Sequence, residues 1–565
     1  MTTTSPVKKI DTNSREFYDK ALGSMDLERQ SHMARWKTIT DNLLAQAGRY
    51  VETDRNKGIN REENIVDSTA THSLDVLSAG MQAGMSSPAR TWFRLGTPDP
   101  DLENFPPVKK WLNDVARIMR RIFAASNTYS TLHQLYEELG AFGTGCAIIS
   151  EDFEDVIRLY GSTVGEYYLG NSDRGIVDTV YRKYQMQVGQ MAQKFGEKAL
   201  SQHARGLYDR GNYQAWITVG HGIEPNRNRD LKSLAARDMA WRSVYWEVGS
   251  EKNIREDKFL RESGYKMFPG ICPRWHVAGG DIYGSGPGGR VLGDIQQLMH
   301  NQDLWDLGKE YMANPAIVAP ASMKGRSSFL PGRVSFDPGN TANNTVKRAV
   351  DVNFDIGAAI DSIVDIRKRI QQGFFTDLFQ MIALSDRKQV TATEVAERHE
   401  EKLMVLGPVM ERNQNELHDP LIDNTFAHGL EAGIFPPIPD EMRGREVSVK
   451  YVSMLAQAQR AISIGSLDRI LGVVGAMQPL YPEVTDKLNS DKIVDEYAEI
   501  LGVDPDLIVS NDDLVFVRKE RQAQLAQAQQ QEALPQVAET AKTLSETDTQ
   551  ARSALTAVNE QFSQV

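Results

Sequence analysis

The sequence predicts an α+β fold in which helices come first, a largely antiparallel sheet follows, and helices return. Three observations carry this. Apolar residues recur every three to four positions over 25–47, 65–86 and 108–124. From about 145 to 280 that period gives way to short β-branched and aromatic runs separated by Gly and Asp. Helical spacing resumes at 290–312 and again from 358.

Each element has its own warrant. In 25–47 the stripe is Leu27, Trp36, Ile39, Leu43 and Leu44. In 65–86 it is Val66, Ala70, Leu74, Leu77 and Met81, with Ala79, Gly80, Ala83 and Gly84 leaving room for a close neighbour and Pro88 ending the run. The clearest stripe is Val108, Trp111, Leu112, Val115, Ile118, Met119 and Ile122. Strands are expected at GCAIIS, VIRLYG, EYYLG, QAWITVG and RSVYWEV, with one helical piece near 184–204. After the helix at 290–312, NPAIVAP, GRVSF and RAVDVNF read as short strands within 314–357. A helix through Ile360, Ile363, Ile370, Phe374 and Leu378 follows at 358–381, then the polar loop ALSDRKQ. A long helix starts near Thr391, whose side chain and Glu394 form a capping box. Pro408 and Pro420 lie inside it and predict kinks or breaks, since each removes a helix hydrogen bond. VSVKYV is one more strand, 453–502 is helical with loops at Pro479 and Pro482, and 519–565 is Gln/Ala-rich and then polar.

Composition narrows the function classes. The 565 residues are 41% hydrophobic and 25% charged, suited to a globular core. The opening MTTTSPVKKIDTNSREF has no apolar signal region, and no apolar run approaches the ~18 residues of a membrane span. Cys146 and Cys272 read as buried, reduced thiols in a reducing compartment. A net charge of −12 does not suit tight nucleic-acid binding, which uses clustered Lys and Arg, but it suits a wall along which a polyanion slides.

The motifs point away from catalysis. Residues 284–289, GSGPGG, satisfy G-x-G-x-x-G. A dinucleotide loop also needs a feeding strand and an acidic residue about 20 positions on, at the end of a second strand. Here that region lies in a helix, and Pro287 interrupts the motif, so a flexible loop leading into the next helix is the plainer expectation. No Walker loop occurs, HEEKL is not H-E-x-x-H, and Ser285 lacks G-x-S-x-G spacing. His418 and His428, ten residues apart, share no metal-ligand spacing and read as surface or hydrogen-bonded residues. The DPD pairs Asp99/Asp101 and Asp504/Asp506 read as turns.

Four stretches carry a resemblance. IVDSTATHSLDVLSAGMQAGMSSPARTWFRL (65–95) couples a small-residue helix to an R-x-W-F strand at Arg90, Trp92 and Phe93. IYGSGPGGRVLGDIQQLMHNQDL (282–304) puts Y-G-x-G-P before a D-I-x-x-L helix, and QQGFFTDLF (371–379) follows. VTATEVAERHEEKLMVLGPVMERNQNELHDPLIDNTFAHGLEAGIFPP (390–437) contains T-A-T-E-V-x-E-R, L-G-P-V and P-L-I in order. Together they resemble the head-to-tail connector, or portal, proteins of short-tailed double-stranded DNA bacteriophages.

The resemblance implies a ring-forming portal fold, usually of twelve copies, at one capsid vertex of the virion, assembled in the host bacterial cytoplasm. It implies a wing at 1–284, a first stem helix at 285–313, a β-rich clip at 314–357 and a second stem helix at 358–381. A tunnel loop at 382–390, a long kinked helix and wing return at 391–452, a helical crown at 453–512 and a barrel or C-terminal arm at 513–565 complete it. Gly284, Gly286, Pro287 and Gly289 would mark the wing–stem transition. Asp386, Arg387 and Lys388 would sit in the tunnel loop beside passing DNA, and Lys324, Arg326 and Arg333 would meet the terminase or the tail adaptor from the clip. On residue type alone, these charges read equally as solvated loop groups. The implied partners are further copies of the chain, major capsid protein, scaffolding protein, terminase large subunit, tail adaptor, internal core or ejection proteins and double-stranded DNA. No membrane, cofactor, metal or catalytic residue is implied. The competing readings are another virion assembly protein, such as a tail adaptor or capsid component, and a nucleotide-binding enzyme using Gly284–Gly289.

Overall fold

A computed structural model of the chain describes residues 15–51, 62–103, 105–233, 235–248, 259–313, 317–318, 347–348, 356–380, 404–445, 447–453, 455, 470–501, 514 and 517–524. The apolar stripes become buried faces. Helix α1 (Arg15–Asn42) starts ten residues before the expected position; Trp36 and Ile39 are buried, whereas Leu27 faces solvent. Helix α2 (Thr69–Met85) buries Ala70, Leu74, Leu77 and Met81 but begins after Val66, which is exposed. A short strand β1 (Phe93–Gly96) and a single turn α3 (Pro100–Glu103) lead into α4 (Pro106–Ala125). Pro at the start of α4 costs nothing there, because the first N–H groups of a helix have no partner.

Helix α5 (Thr128–Ala141) goes beyond the sequence expectation and packs along α2. Its Leu132, Leu135, Tyr136 and Leu139 are buried, and so is Glu138. The fit with α2 is close: a Cβ on Gly140 would lie 2.5 Å from Leu74 Cδ1.

The strand region forms two antiparallel sheets rather than one. Strands β2 (Cys146–Asp152) and β3 (Val156–Ser162) form a hairpin, and β9 (Gly270–Ile271) pairs with the other edge of β2. The second sheet has the order β4 (Tyr167–Asn171), β5 (Val177–Gln187), β6 (Trp216–Pro225), β7 (Trp241–Glu247), β8 (Arg261–Tyr265). The helical piece expected at 184–204 is shifted, because β5 continues to Gln187. Two short helices follow, α6 (Val188–Phe195), opened by a Gln187/Gln190 capping box, and α7 (Gln202–Asp209), capped by Ser201. Cys146 and Cys272 lie with their sulfurs 3.7 Å apart as free buried thiols.

Two helices then run out of the core, α8 (Pro287–Arg290) into α9 (Leu292–Ala313), and α10 (Ile356–Gly373) packs beside α9. Between them, β10 (Ile317–Val318) pairs antiparallel with β11 (Lys347–Arg348). Helix α10 does not continue unbroken to 381. It stops at Phe374–Phe375, where Phe375 adopts φ 54°, and helical structure resumes at 376–380. The break lets Phe374, Leu378 and Phe379 all enter the core. A Cβ on Gly80 would lie 2.5 Å from Phe379 Cβ, so the small residues of α2 accept this segment.

The long helix is described from 404. Pro408 lies in regular α-helix over 404–413, without a break. The interruption expected at Pro420 takes the form of a π-helical turn, Gln414–His418, followed by α-helix over Asp419–Glu431. The wider π turn precedes the proline, which falls at the start of the renewed helix where its lacking N–H is least costly. Gly433 at φ 64° ends the helix, with the Ile434 N–H donating to Gly429 O at 3.1 Å and the Gly433 N–H to Leu430 O. The chain returns as β12 (Ser448–Tyr451), paired antiparallel with β1.

Residues 466–565 form a separate compact unit. Its described α-helices include 470–477, Ser490–Leu501 and 517–524, a 3-10 helix spans Pro482–Lys487, and Arg518 forks onto Asp491.

Burial pushes the Glu138 carboxyl up to about 8, against the bonds it accepts from Thr163 Oγ and the Val164 N–H. Folding therefore takes up a proton. That stabilisation is complete below the ordinary carboxylate range and is lost as pH rises toward about 8. The unfolding free energy should fall between about pH 5 and pH 8, by at most about 1.4 kcal/mol per pH unit from this group, and the denaturant midpoint should fall with it. Glu138→Gln should flatten that part of the slope, as read from urea unfolding across the range.

Candidate functional site

The glycine run is held by close packing. Gly284 N–H donates to Thr144 Oγ1 at 2.8 Å, and Ser285 N–H to His276 O at 2.8 Å. A Cβ on Gly284 would lie 2.4 Å from Gly143 O, and one on Gly286 2.4 Å from Leu139 O. Gly288 lies against Ala141 O, and Gly289 against the Arg35 guanidinium. None of the four has a positive φ, whereas Gly143, on the other side of the contact, has φ 84°. The segment is thus a main-chain lap across the end of α5. This corrects the expectation of a flexible loop. Carbonyl oxygens and neighbouring backbone occupy the space that a phosphate would need, which removes the basis for a nucleotide loop.

From this lap α8 and α9 emerge, and charges fix the helix pair to the core. Arg367 of α10 donates twice to Asp67 Oδ2, at 2.7 and 2.9 Å. Asp67 also accepts from the Thr69 N–H, while its own N–H donates to Met299 Sδ at 3.3 Å. Burial opposes its ionisation, but the bonds from Thr69 and Arg367 outweigh it and hold the carboxyl below its usual range. Arg369 reaches Asp294 of α9 at 3.1 Å. A Cβ on Gly373 would lie 2.2 Å from Val291 Cγ1, so glycine lets the end of α10 cross the α8–α9 joint.

A second anchor joins this region to the long helix. Arg274, 1% exposed, donates its N–H, Nε and one terminal nitrogen to Glu416, at 2.9, 3.2 and 2.6 Å. Its guanidinium also donates to Gly175 O and Ile282 O. Glu416 lies in the π turn, as does His418, whose Nε2 is 3.0 Å from Tyr136 Oη. Burial pushes the His418 imidazole down to about 3, so it is neutral.

One constellation looks catalytic. Ser243 Oγ is 3.0 Å from His221 Nε2, and Arg182 Nε donates to His221 Nδ1 at 3.0 Å. A general base of this type needs an acceptor behind the imidazole to stabilise the imidazolium. Here the group behind is a cation, and burial together with Arg182, Lys194 and Arg261 holds His221 well below its ordinary value. With Nδ1 accepting, Nε2 carries the proton and donates to Ser243, so the histidine cannot take one from it.

The sequence-named residues fall unevenly. Gly284, Gly286, Pro287 and Gly289 come together at the lap, and Pro420 sits beside the π turn that holds Glu416. Asp386, Arg387 and Lys388, and Lys324, Arg326 and Arg333, lie outside the described residues. Sequence reasoning missed Asp67, Arg274, Arg367 and Glu416. Their partners are distant in the chain, and an isolated charge carries no spacing signal.

Residues 15–509 match the family described as "Bacteriophage head to tail connecting protein". The chain is 47% identical over 542 residues to the "Probable portal protein" of Bordetella phage BPP-1, covering 96% of this chain and 97% of that one. It is 40% identical over 542 residues to the "Portal protein" of Salmonella phage epsilon15, covering 95% and 97%. A solved chain from the virion of a native gene transfer agent particle aligns with 83% of this chain and 99% of its own at 12% identity, with a TM-score of 0.35. The chain belongs to the bacteriophage head-to-tail connecting family. Its function is that of a phage portal.

Two outcomes follow from the anchors. Gly286→Val should destabilise by about 1–3 kcal/mol, because the new side chain meets fixed backbone. Gly280→Ala, with nothing within 4 Å of its Cβ, should be near neutral; thermal unfolding compares them. Glu416→Gln should cost about 3–5 kcal/mol by leaving Arg274 buried without its counter-charge. The double variant Arg274→Met/Glu416→Leu should recover most of that loss in urea denaturation.

Proposed function

We propose that the chain assembles into a closed ring, of twelve copies, whose channel passes double-stranded DNA into the capsid and out again. The observation that carries this reading is the apolar surface left on the helix pair. Leu304, Leu307 and Tyr311 of α9 are exposed at helical spacing, as are Ile360 and Val364 of α10. The adjoining stripe of α10, Ile363, Ile366 and Ile370, is already buried. A helix whose apolar surface extends beyond its buried stripe needs a second partner, and a repeated head-to-tail contact between copies supplies one to every subunit in a closed ring.

On this reading α9 and α10 are the stem, the insertion between them is the clip, and the segment after 381 is the tunnel loop. Arg387 and Lys388, with Asp386, would face the DNA. Lys324, Arg326 and Arg333 would meet the terminase large subunit during packaging and the tail adaptor afterwards. Capsid protein, scaffolding protein and internal core or ejection proteins would contact the outer and inner rims. A chain of net charge −12 suits a wall that DNA slides past, because few phosphates would be neutralised in transit. Hydrolysis of ATP belongs on this reading to the terminase, and the portal is a structural virion component.

Electron microscopy of the purified full-length protein tests the reading directly: class averages should show rings with an open channel and twelvefold symmetry. Leu307→Glu combined with Val364→Glu should shift the protein from rings to monomers in native mass spectrometry while its melting temperature as a monomer is kept, since both side chains face outward. Rings that persist in the double variant would remove the helix pair from the subunit interface.

A further inference from the structure

We propose that Glu151, His428 and Glu431 form a binding site for a divalent transition-metal ion of the zinc class, which would clip the three-stranded sheet to the end of the long helix. Glu151 lies near the end of β2, the central strand of that sheet. His428 and Glu431 are three residues apart in the last turn of the helix, and so share a face. One ligand atom from each of the three lies within 4.8 Å of the others, and His428 Nδ1 is 3.7 Å from Glu151 Oε1. Small side-chain rotations bring such a set to the spacing of ligands around one ion.

The imidazole separates this trio from an ordinary cluster of surface acids. Both ring nitrogens of His428 are buried, and neither has a hydrogen-bond partner. A neutral imidazole offers one donor and one acceptor, and leaving both unmet in a buried place is costly. An ion at the mouth of the cluster would use the acceptor. The neutral imidazole, with a free lone pair on one nitrogen, is the form in which histidine binds metal. One nitrogen and two carboxylates suit zinc, cobalt or manganese rather than calcium, with water completing the coordination.

A competing cation is already present. The Lys266 ammonium pairs with Glu431 and remains largely exposed on its flexible stem. It would have to swing aside for a metal, so it weakens the site.

The test uses the full-length protein, stripped with a chelator, dialysed and titrated with zinc chloride by calorimetry in a non-coordinating buffer. One zinc per chain should bind and raise the melting temperature, since the site exists only in the folded state. His428→Ala and Glu151→Gln should each weaken binding about tenfold or more. Glu151 is 64% exposed along its side chain, so that variant tests the site even where the histidine variant misfolds. Lys266→Met should tighten binding by freeing Glu431. Zinc-edge X-ray absorption should show one imidazole nitrogen among oxygen ligands. No binding at millimolar zinc would overturn the proposal. So would equal affinity in Glu151→Gln and the parent chain, or an unchanged affinity in Lys266→Met.

Discussion

Where residues 284–289 cross the end of α5, two stretches of main chain touch with no side chain between them. The approach is possible because Gly284, Gly286 and Gly288 lack a Cβ on one side and Gly143 turns with a positive φ on the other. From this contact α8 and α9 take their starting point, and α10 is laid beside them through Gly373. An error of one methyl group at the lap would be carried along the length of α9. Glycine is used here less for its conformational freedom than for the volume it leaves empty.

The charged anchors work with that steric constraint. Asp67 with Arg367, Asp294 with Arg369 and Glu416 with Arg274 each join segments remote in the chain. Paired and hydrogen-bonded, such groups add little net stability over an apolar contact, but each tolerates few alternative geometries. They thereby fix where the helix pair and the long helix sit on the core. Apolar packing supplies the cohesion, with Trp92, Phe123, Phe374 and Phe379 among the large buried side chains.

Much of this was open to reading from the sequence. The stripe of α4 becomes a buried face, and the strand of 448–451 is found where VSVKYV stands. Other elements were hidden by chemistry that looks polar. Helix α5 carries Glu138, which reads as a surface residue but is buried and held protonated. Strand β5 ends in RKYQMQ, where buried Arg182 lies over the rings of Tyr160 and Tyr184. The glycines announced a special backbone, yet what they pack against, the main chain over 139–143 and the Arg35 guanidinium, is far up the chain. Spacing within the chain is also blind to Glu151, which approaches the helical His428 from a sheet strand.

The two-residue ladder of Ile317–Val318 with Lys347–Arg348 has an evolutionary consequence. It pins the chain where it leaves the helix pair and where it comes back. Closing a longer loop between fixed ends costs only about 0.6 kcal/mol for each doubling of its length. The length of chain between Val318 and Lys347 is therefore a weak constraint on the ladder and on the register of α9 and α10. Insertions and deletions between Val318 and Lys347 could accumulate in a lineage without disturbing the two paired strands.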